Sequence, residues 1–134
     1  EIVVKSTGHH KQARANWGTM RSLINQAVLG VTQGFTKKLE LIGVGYRVSK
    51  EGENLVLNIG FSHPVKFKTS PEVKVDIEKN IIKISGISKS IVGQTASSIK
   101  KLKKPDPYQG KGIRYQGEFI RKKDGKKAVG AGAK

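Results

Sequence analysis

The sequence predicts an α+β fold in which a run of antiparallel strands lies between two helices. Apolar residues recur at three- and four-residue spacing near residues 13–31 and 88–104, which is typical of helices. Between them, apolar and polar residues alternate, as in antiparallel strands with one face in water. Residues 1–8 resemble residues 81–86 in having a β-branched run and a glycine before a helix. We therefore expect two repeats of a small antiparallel-sheet-plus-one-helix domain, the first incomplete.

The first repeat is predicted to consist of a strand and a helix. Residues 1–5 carry three consecutive β-branched side chains and favour a strand, with a turn at residues 6–8. Because this strand begins at the first residue, we expect further residues to precede it. Gly34 is expected to end the helix. The predicted apolar side of the helix contains Trp17, Met20, Leu23, Ile24, Ala27, Val28 and Val31.

The second repeat is predicted to begin with strands. Residues 36–48 favour one strand, with either a bulge near residues 41–42 or burial on both sides, because the parity of its apolar positions changes there. A turn at residues 51–54 predicts a hairpin with residues 55–59. Further strands are expected at residues 65–68, 73–78 and 81–84. Gly43 and Gly45 fall inside the predicted strand, and without a third glycine or a following helix they do not form a dinucleotide-binding loop.

A second helix is predicted to follow residue 86. Ser88 or Ser90 can cap its start, and Pro105 marks its end because the residue before a proline disfavours helix. Its predicted apolar side contains Ile91, Val92, Thr95, Ala96, Ile99 and Leu102.

The charge of the chain indicates a polyanionic partner. Its 26 basic and 10 acidic residues give a formal net charge of +16. Residues 100–134 hold twelve basic and three acidic side chains, whereas residues 51–80 hold four and five. RNA, DNA or an anionic membrane could neutralise such a surface. No run of about 20 apolar residues predicts a membrane helix, and the chain contains no cysteine.

Residues that could carry catalysis are sparse. His9 and His10 are adjacent and would point in different directions, and no carboxylate pair completes a metal site. His63 follows Ser62, but a catalytic dyad needs spatial geometry and a third orienting group, so a turn between two strands is favoured. We therefore predict neither an enzyme nor a metal or cofactor site, and a small basic hydrolase is disfavoured. A free-standing nucleic-acid regulator is also disfavoured, because neither helix presents a base-reading face of Asn, Gln and Arg.

The segment from Lys100 onward is the strongest candidate binding site. Lysine and arginine neutralise phosphates, glycine allows close backbone approach, and tyrosine can stack on a base or pack internally. Prolines and spaced glycines favour an ordered loop over a disordered tail. Arg14 and Arg21 form either a weaker second patch or an ordinary polar helix surface, and Lys66, Lys68, Lys74 and Lys89 are expected to be solvated. The predicted RNA-binding residues are Lys100, Lys101, Lys103, Lys104, Tyr108, Gly110, Lys111, Gly112, Arg114, Tyr115, Arg121, Lys122 and Lys123.

Four sequence blocks carry a resemblance to a known family. Residues 105–115 (PDPYQGKGIRY) resemble the signature of the bacterial and organellar form of large-subunit ribosomal protein six. Residues 30–39 (GVTQGFTKKL), 41–47 (LIGVGYR) and 60–65 (GFSHPV) resemble the same family and lie in its order. Gln109 stands where the signature usually has lysine.

The resemblance implies a structural component of the large ribosomal subunit rather than a catalyst. Its partners would be large-subunit rRNA near the factor-binding region and stalk base, and neighbouring ribosomal proteins. It would work in a bacterial cytoplasm, a chloroplast or a mitochondrion. Family members contain two similar domains, so residues 1–34 would be a remnant of the first repeat and residues 35–104 the second. Residues 105–134 would be a basic rRNA-binding extension of the second repeat.

Overall fold

A computed structural model describes residues 1–123 of the chain, and residues 124–134 at the end of the predicted extension lie outside the described part. The structure confirms the α+β class, with two helices and two antiparallel sheets in the described residues. In chain order the elements are α1 (Lys11–Thr32), β1 (Phe35–Ile42), β2 (Arg47–Glu51), β3 (Asn54–Asn58), β4 (Val65–Lys68), β5 (Val73–Glu78), β6 (Ile81–Gly86), α2 (Lys89–Leu102) and β7 (Gly112–Tyr115).

The larger sheet, sheet A, has the strand order β5-β6-β1-β7, and its neighbouring strands are antiparallel. Leu39 of β1 lies opposite Ile82 of β6 and Tyr115 of β7, so these side chains share one face. That face is apolar and buried, and α2 packs against it through Val92 and Ile99. Part of the extension thus forms a strand, β7, which pairs with β1 and belongs to sheet A.

The smaller sheet, sheet B, has the order β2-β3-β4 and contains the predicted hairpin, with its turn between Glu51 and Asn54. Leu55, Leu57 and Ile59 are buried and belong to the same hydrophobic core as the apolar face of sheet A. The Lys50 ammonium also donates to the Val75 carbonyl at 3.1 Å. The two sheets and α2 thus enclose one core.

The single strand predicted over residues 36–48 is wrong. β1 ends at Ile42, the chain leaves sheet A through Gly43 and Gly45, and it enters sheet B at Arg47. Val44, which falls inside that predicted strand, is 92% exposed. The change in parity arises because the two halves belong to different sheets, so neither a bulge nor burial on both sides is needed.

The strand predicted at residues 1–5 is also wrong. These residues form no strand, because within residues 1–123 no other strand runs beside them to pair their backbone groups. Instead the Val4 carbonyl accepts a hydrogen bond from the Trp17 indole N–H of α1 at 2.7 Å. The side chain of a helix thus satisfies one backbone group that a partner strand would otherwise satisfy.

Both predicted helices are present, but they pack differently. α2 buries its apolar side, whereas α1 leaves Met20, Leu23 and Val31 at least half exposed. α1 joins the rest of the fold at its C-terminal end, where Gly30 is buried. A β-carbon at Gly30 would lie only 2.1 Å from the Ile87 carbonyl oxygen, so the glycine permits this close packing.

Candidate nucleic-acid interface

The segment after α2 forms a compact loop that its own hydrogen bonds close. The Asp106 N–H donates to the Lys111 carbonyl at 2.9 Å, and the Gly110 N–H donates to the Asp106 carbonyl at 2.6 Å. The Asp106 carboxylate accepts the Tyr108 N–H at 2.9 Å. This is the local side-chain-to-backbone pattern that aspartate favours in turns. The loop therefore holds Tyr108 and Lys111 on an ordered backbone.

The two glycines of this loop have structural roles within the chain. Gly110 has φ +76°, a conformation that side chains rarely adopt, and its N–H is already bonded to Asp106. Gly112 has φ +146°, and a β-carbon there would lie 2.7 Å from the Lys104 carbonyl oxygen and 2.8 Å from the Pro105 α-carbon. Gly112 thus lets β7 begin directly against the backbone that follows the end of α2. The predicted approach of either glycine to phosphate stays a prediction.

Residues 116–123 return toward α2 and cover the start of the loop. The Gln116 N–H donates to the Lys38 carbonyl, and the Lys123 N–H donates to the Pro107 carbonyl at 2.6 Å. Lys122 lies near Gly110. Arg121, Lys122 and Lys123 are consequently held beside the 106–111 loop, and all three are exposed.

Lys100 is engaged inside the fold. Its ammonium lies 2.7 Å and 2.9 Å from the two carboxylate oxygens of Glu118 and 4.9 Å from the centre of the Tyr115 ring. The hydrogen bond from Lys100 is the main reason that the pKa of Glu118 lies below its ordinary value, with smaller contributions from the Tyr115 N–H and the neighbouring cations, and burial opposing. Tyr115 is half-buried against the core, so its internal packing is the interpretation that the geometry favours.

Arg114 is also engaged inside the fold. It lies directly opposite Glu40 in the β1–β7 register, and its Nε atom is 3.7 Å from the Glu40 carboxylate. That Nε atom is buried and has no hydrogen-bond partner. Lys100 and Arg114 therefore neutralise carboxylates of the chain itself and have less capacity for phosphates than their charge suggests.

Six of the seven remaining cations of the predicted set are exposed. Within residues 1–123 none of them forms an ion pair with another side chain. Lys103 is half-buried and places its ammonium 5.3 Å from the centre of the Phe61 ring. Tyr108 is 56% exposed and is available for stacking. The exposed cations, called here the basic surface, are Lys101, Lys104, Lys111, Arg121, Lys122 and Lys123.

Other predicted positions lie on other elements of the fold. Arg14 and Arg21 are exposed on α1, and a second patch there stays a prediction. Lys66 and Lys68 of β4 and Lys74 of β5 are exposed on the sheets. Sequence reasoning missed Glu40 and Glu118 as internal partners, because their cations are 74 and 18 residues away in the chain. For Glu40, the available signal was its position between the apolar residues Leu39 and Leu41 in β1, which places it on the opposite face of the strand.

The three histidines, His9, His10 and His63, are all exposed. Residues 1–123 contain no group of three or more histidine, aspartate or glutamate side chains arranged to hold a metal ion. The Ser62 hydroxyl lies 3.5 Å from the His63 Nδ1 atom. Both residues belong to the exposed connection between β3 and β4, where a turn between two strands was predicted. Neither helix of the described part is long and apolar enough to cross a bilayer.

The family model and the relatives that the chain matches all describe the same kind of ribosomal protein. Residues 42–116 match the family model described as ribosomal protein L6. The chain is similar to the large ribosomal subunit protein uL6 of Staphylococcus aureus strain JH9, with 52% identity over 126 residues that cover 93% of this chain and 71% of that protein. It is 54% identical to the uL6 of Staphylococcus carnosus over 125 residues, which cover 92% of this chain and 70% of that protein.

Proposed function

This chain belongs to the ribosomal protein L6 family, and we propose that it acts as a structural constituent of the large ribosomal subunit that binds rRNA through the basic surface. The finer location is the factor-binding region near the stalk base, where neighbouring ribosomal proteins are further partners. The role is one of assembly and positioning in translation, and it involves no catalysis by the chain.

One observation carries the proposal, namely that residues 101–123 carry six exposed cations and include a loop that is already ordered. Each cation that meets a phosphate releases condensed counterions, which drives binding. Because the 106–111 loop is closed by internal hydrogen bonds, RNA binding does not have to order its backbone at that moment. A disordered tail of equal charge would lose more conformational entropy on binding.

The proposal predicts selectivity for large-subunit rRNA. An ordered arrangement of cations matches one phosphate geometry better than others, so the chain should bind large-subunit rRNA at least about tenfold more tightly than small-subunit rRNA. The measurement is a competition binding assay at about 0.15 M salt, followed by chemical footprinting of the bound rRNA. Protection should cluster at the factor-binding region and stalk base. Equal affinity for both rRNAs would identify a general polyanion binder and contradict the proposal.

A second prediction separates an ordered loop from simple charge attraction. Asp106→Ala raises the net charge by one, so electrostatics alone predicts tighter RNA binding. Loss of the bond to the Tyr108 N–H should instead loosen the loop and weaken binding by roughly threefold to tenfold, the equivalent of one hydrogen bond. The assay is the dissociation constant for large-subunit rRNA at fixed salt.

The matched control for this prediction is Asp76→Ala in β5, which removes an exposed carboxylate far from the loop in sequence and leaves the loop intact. Its affinity should equal or slightly exceed that of the unmodified chain. If Asp106→Ala binds as tightly as Asp76→Ala, loop order contributes nothing to binding.

A further inference from the structure

The connection between β3 and β4, called here the 60–64 loop, presents an aromatic side chain to solvent. Residues 60–64 are exposed, and Phe61 is 43% exposed to solvent. Phe61 is not part of the hydrophobic core, so the fold does not require its ring for packing. A single exposed apolar residue is common on protein surfaces and indicates nothing alone. The residues that surround this ring indicate a binding role.

The 60–64 loop lies beside the segment that carries the basic surface. The Lys103 ammonium is 5.3 Å from the centre of the Phe61 ring, and the Lys103 carbonyl accepts the Ile113 N–H of β7 at 2.9 Å. Phe61, in the connection between two strands of sheet B, therefore lies next to the residue that follows the end of α2. Residues more than 40 positions apart in the chain meet there.

A second contact ties the neighbouring loop to the same place. The Tyr46 ring lies 2.7 Å from where a β-carbon of Gly43 would be and 3.4 Å from where one of Gly60 would be. Ile42, just before Gly43, lies opposite Gly112 in the β1–β7 register. The 43–46 connection, the 60–64 loop and the start of β7 thus lie next to one another.

An exposed ring with an ammonium beside it fits an unpaired nucleotide. A base that is free of its helix can stack on an aromatic side chain, while a lysine next to the ring meets the adjoining phosphate. Bases within a continuous duplex are already stacked on each other and offer no free face. A duplex would use the cations of this surface and leave the ring without a partner.

We propose that Phe61 stacks on an unpaired base of the bound rRNA, with Lys103 at the adjacent phosphate, so that the site takes a loop or bulge rather than continuous duplex. This inference rests on the proposed function and specifies the kind of RNA that the site recognises. A stacked ring contributes affinity but no charge, whereas Lys103 contributes affinity and a positive charge. Salt dependence therefore distinguishes the two residues.

The experiment uses the whole chain and two probes, large-subunit rRNA and a fully paired RNA duplex. Phe61→Ala should raise the dissociation constant for rRNA by roughly 5- to 150-fold, the range for loss of one stacked base, and leave the log–log salt slope unchanged. Lys103→Ala should reduce the magnitude of the slope by roughly 0.7–0.9. Phe61→Ala should not change affinity for the duplex.

Two further variants make the test specific to stacking. Phe61→Trp should restore affinity, and its fluorescence should be quenched by rRNA more than that of the unmodified chain, whose single tryptophan lies on α1. Ile87→Ala removes another exposed apolar side chain at the opposite end of α2 and should leave binding unchanged.

The outcomes separate this inference from the proposed function. If the unmodified chain binds large-subunit rRNA selectively but Phe61→Ala binds equally well, the stacking proposal fails and the proposed function stands. A Phe61→Ala variant with the reduced slope of Lys103→Ala and no rescue by tryptophan would show that the ring only positions Lys103. Absence of selective binding by the unmodified chain would overturn both.

Discussion

Replacing Gly112 by alanine is expected to destabilise the chain by about 2–4 kcal/mol, which corresponds to a melting temperature lower by roughly 10 °C. The new methyl group would lie 2.7–2.8 Å from backbone atoms of Lys104 and Pro105, and backbone at such a position moves only with the strand or the helix end. Gly112 also begins β7, so the change would disturb its pairing with β1. Thermal unfolding followed by circular dichroism measures the effect.

A control at Gly117 isolates the close approach from backbone strain. Gly117 has φ +81°, but no atom lies within 4 Å of where its β-carbon would be. Gly117→Ala should therefore cost only the strain of a left-handed backbone, about 1–2 kcal/mol. If Gly112→Ala is no more destabilising than Gly117→Ala, the contact with the end of α2 is not what requires glycine.

Local patterns in the sequence were sufficient to predict most elements. The three- and four-residue spacing predicted the positions of both helices. α1 is longer than predicted by two residues at its start and one at its end. Alternation predicted β3 and β4 of sheet B and the turn after Glu51, because these features join strands that are adjacent in the chain. β7 was not predicted as a strand, since it has only four residues and they pair with residues of β1 that lie 70 to 76 positions earlier in the chain.

Contacts between distant residues account for what sequence reasoning missed. Whether Lys100 and Arg114 are available to RNA depends on Glu118 and Glu40, and only the fold reveals that the carboxylates lie within reach. Likewise, the sequence pattern places Gly43 and Gly45 inside a strand, whereas in the structure they lie where the chain passes from sheet A to sheet B. Charge and composition predicted the basic segment, whereas the division of its cations into engaged and exposed ones required the structure.

The exposed lysines of the basic surface should dominate RNA binding. In the triple variant Lys101→Gln, Lys104→Gln and Lys111→Gln, three phosphate contacts are lost without touching the core, since all three side chains are exposed. Each contact scales with salt to about the −0.8 power, so at about 0.1 M salt affinity should fall by a few hundredfold. Substitution is preferable to deletion of the segment, because Ile113 of β7 is fully buried in the core.

The matched control neutralises three exposed lysines elsewhere. Lys66→Gln, Lys68→Gln and Lys74→Gln change the net charge equally but lie on β4 and β5. Their combined effect on affinity should be small, because exposed charges beyond about 10 Å from the RNA are screened at this salt. Melting temperatures of both triple variants should stay close to that of the unmodified chain.

The salt dependence of binding to large-subunit rRNA tests the central claim most directly. Dissociation constants between about 0.05 and 0.3 M salt give the log–log slope for the unmodified chain and both triple variants. Substitution of Lys101, Lys104 and Lys111 should reduce the magnitude of the slope by roughly 2 to 3, and substitution of Lys66, Lys68 and Lys74 should leave it within about 0.5 of the original. Equal slopes for the two triple variants would contradict the assignment of RNA binding to the basic surface.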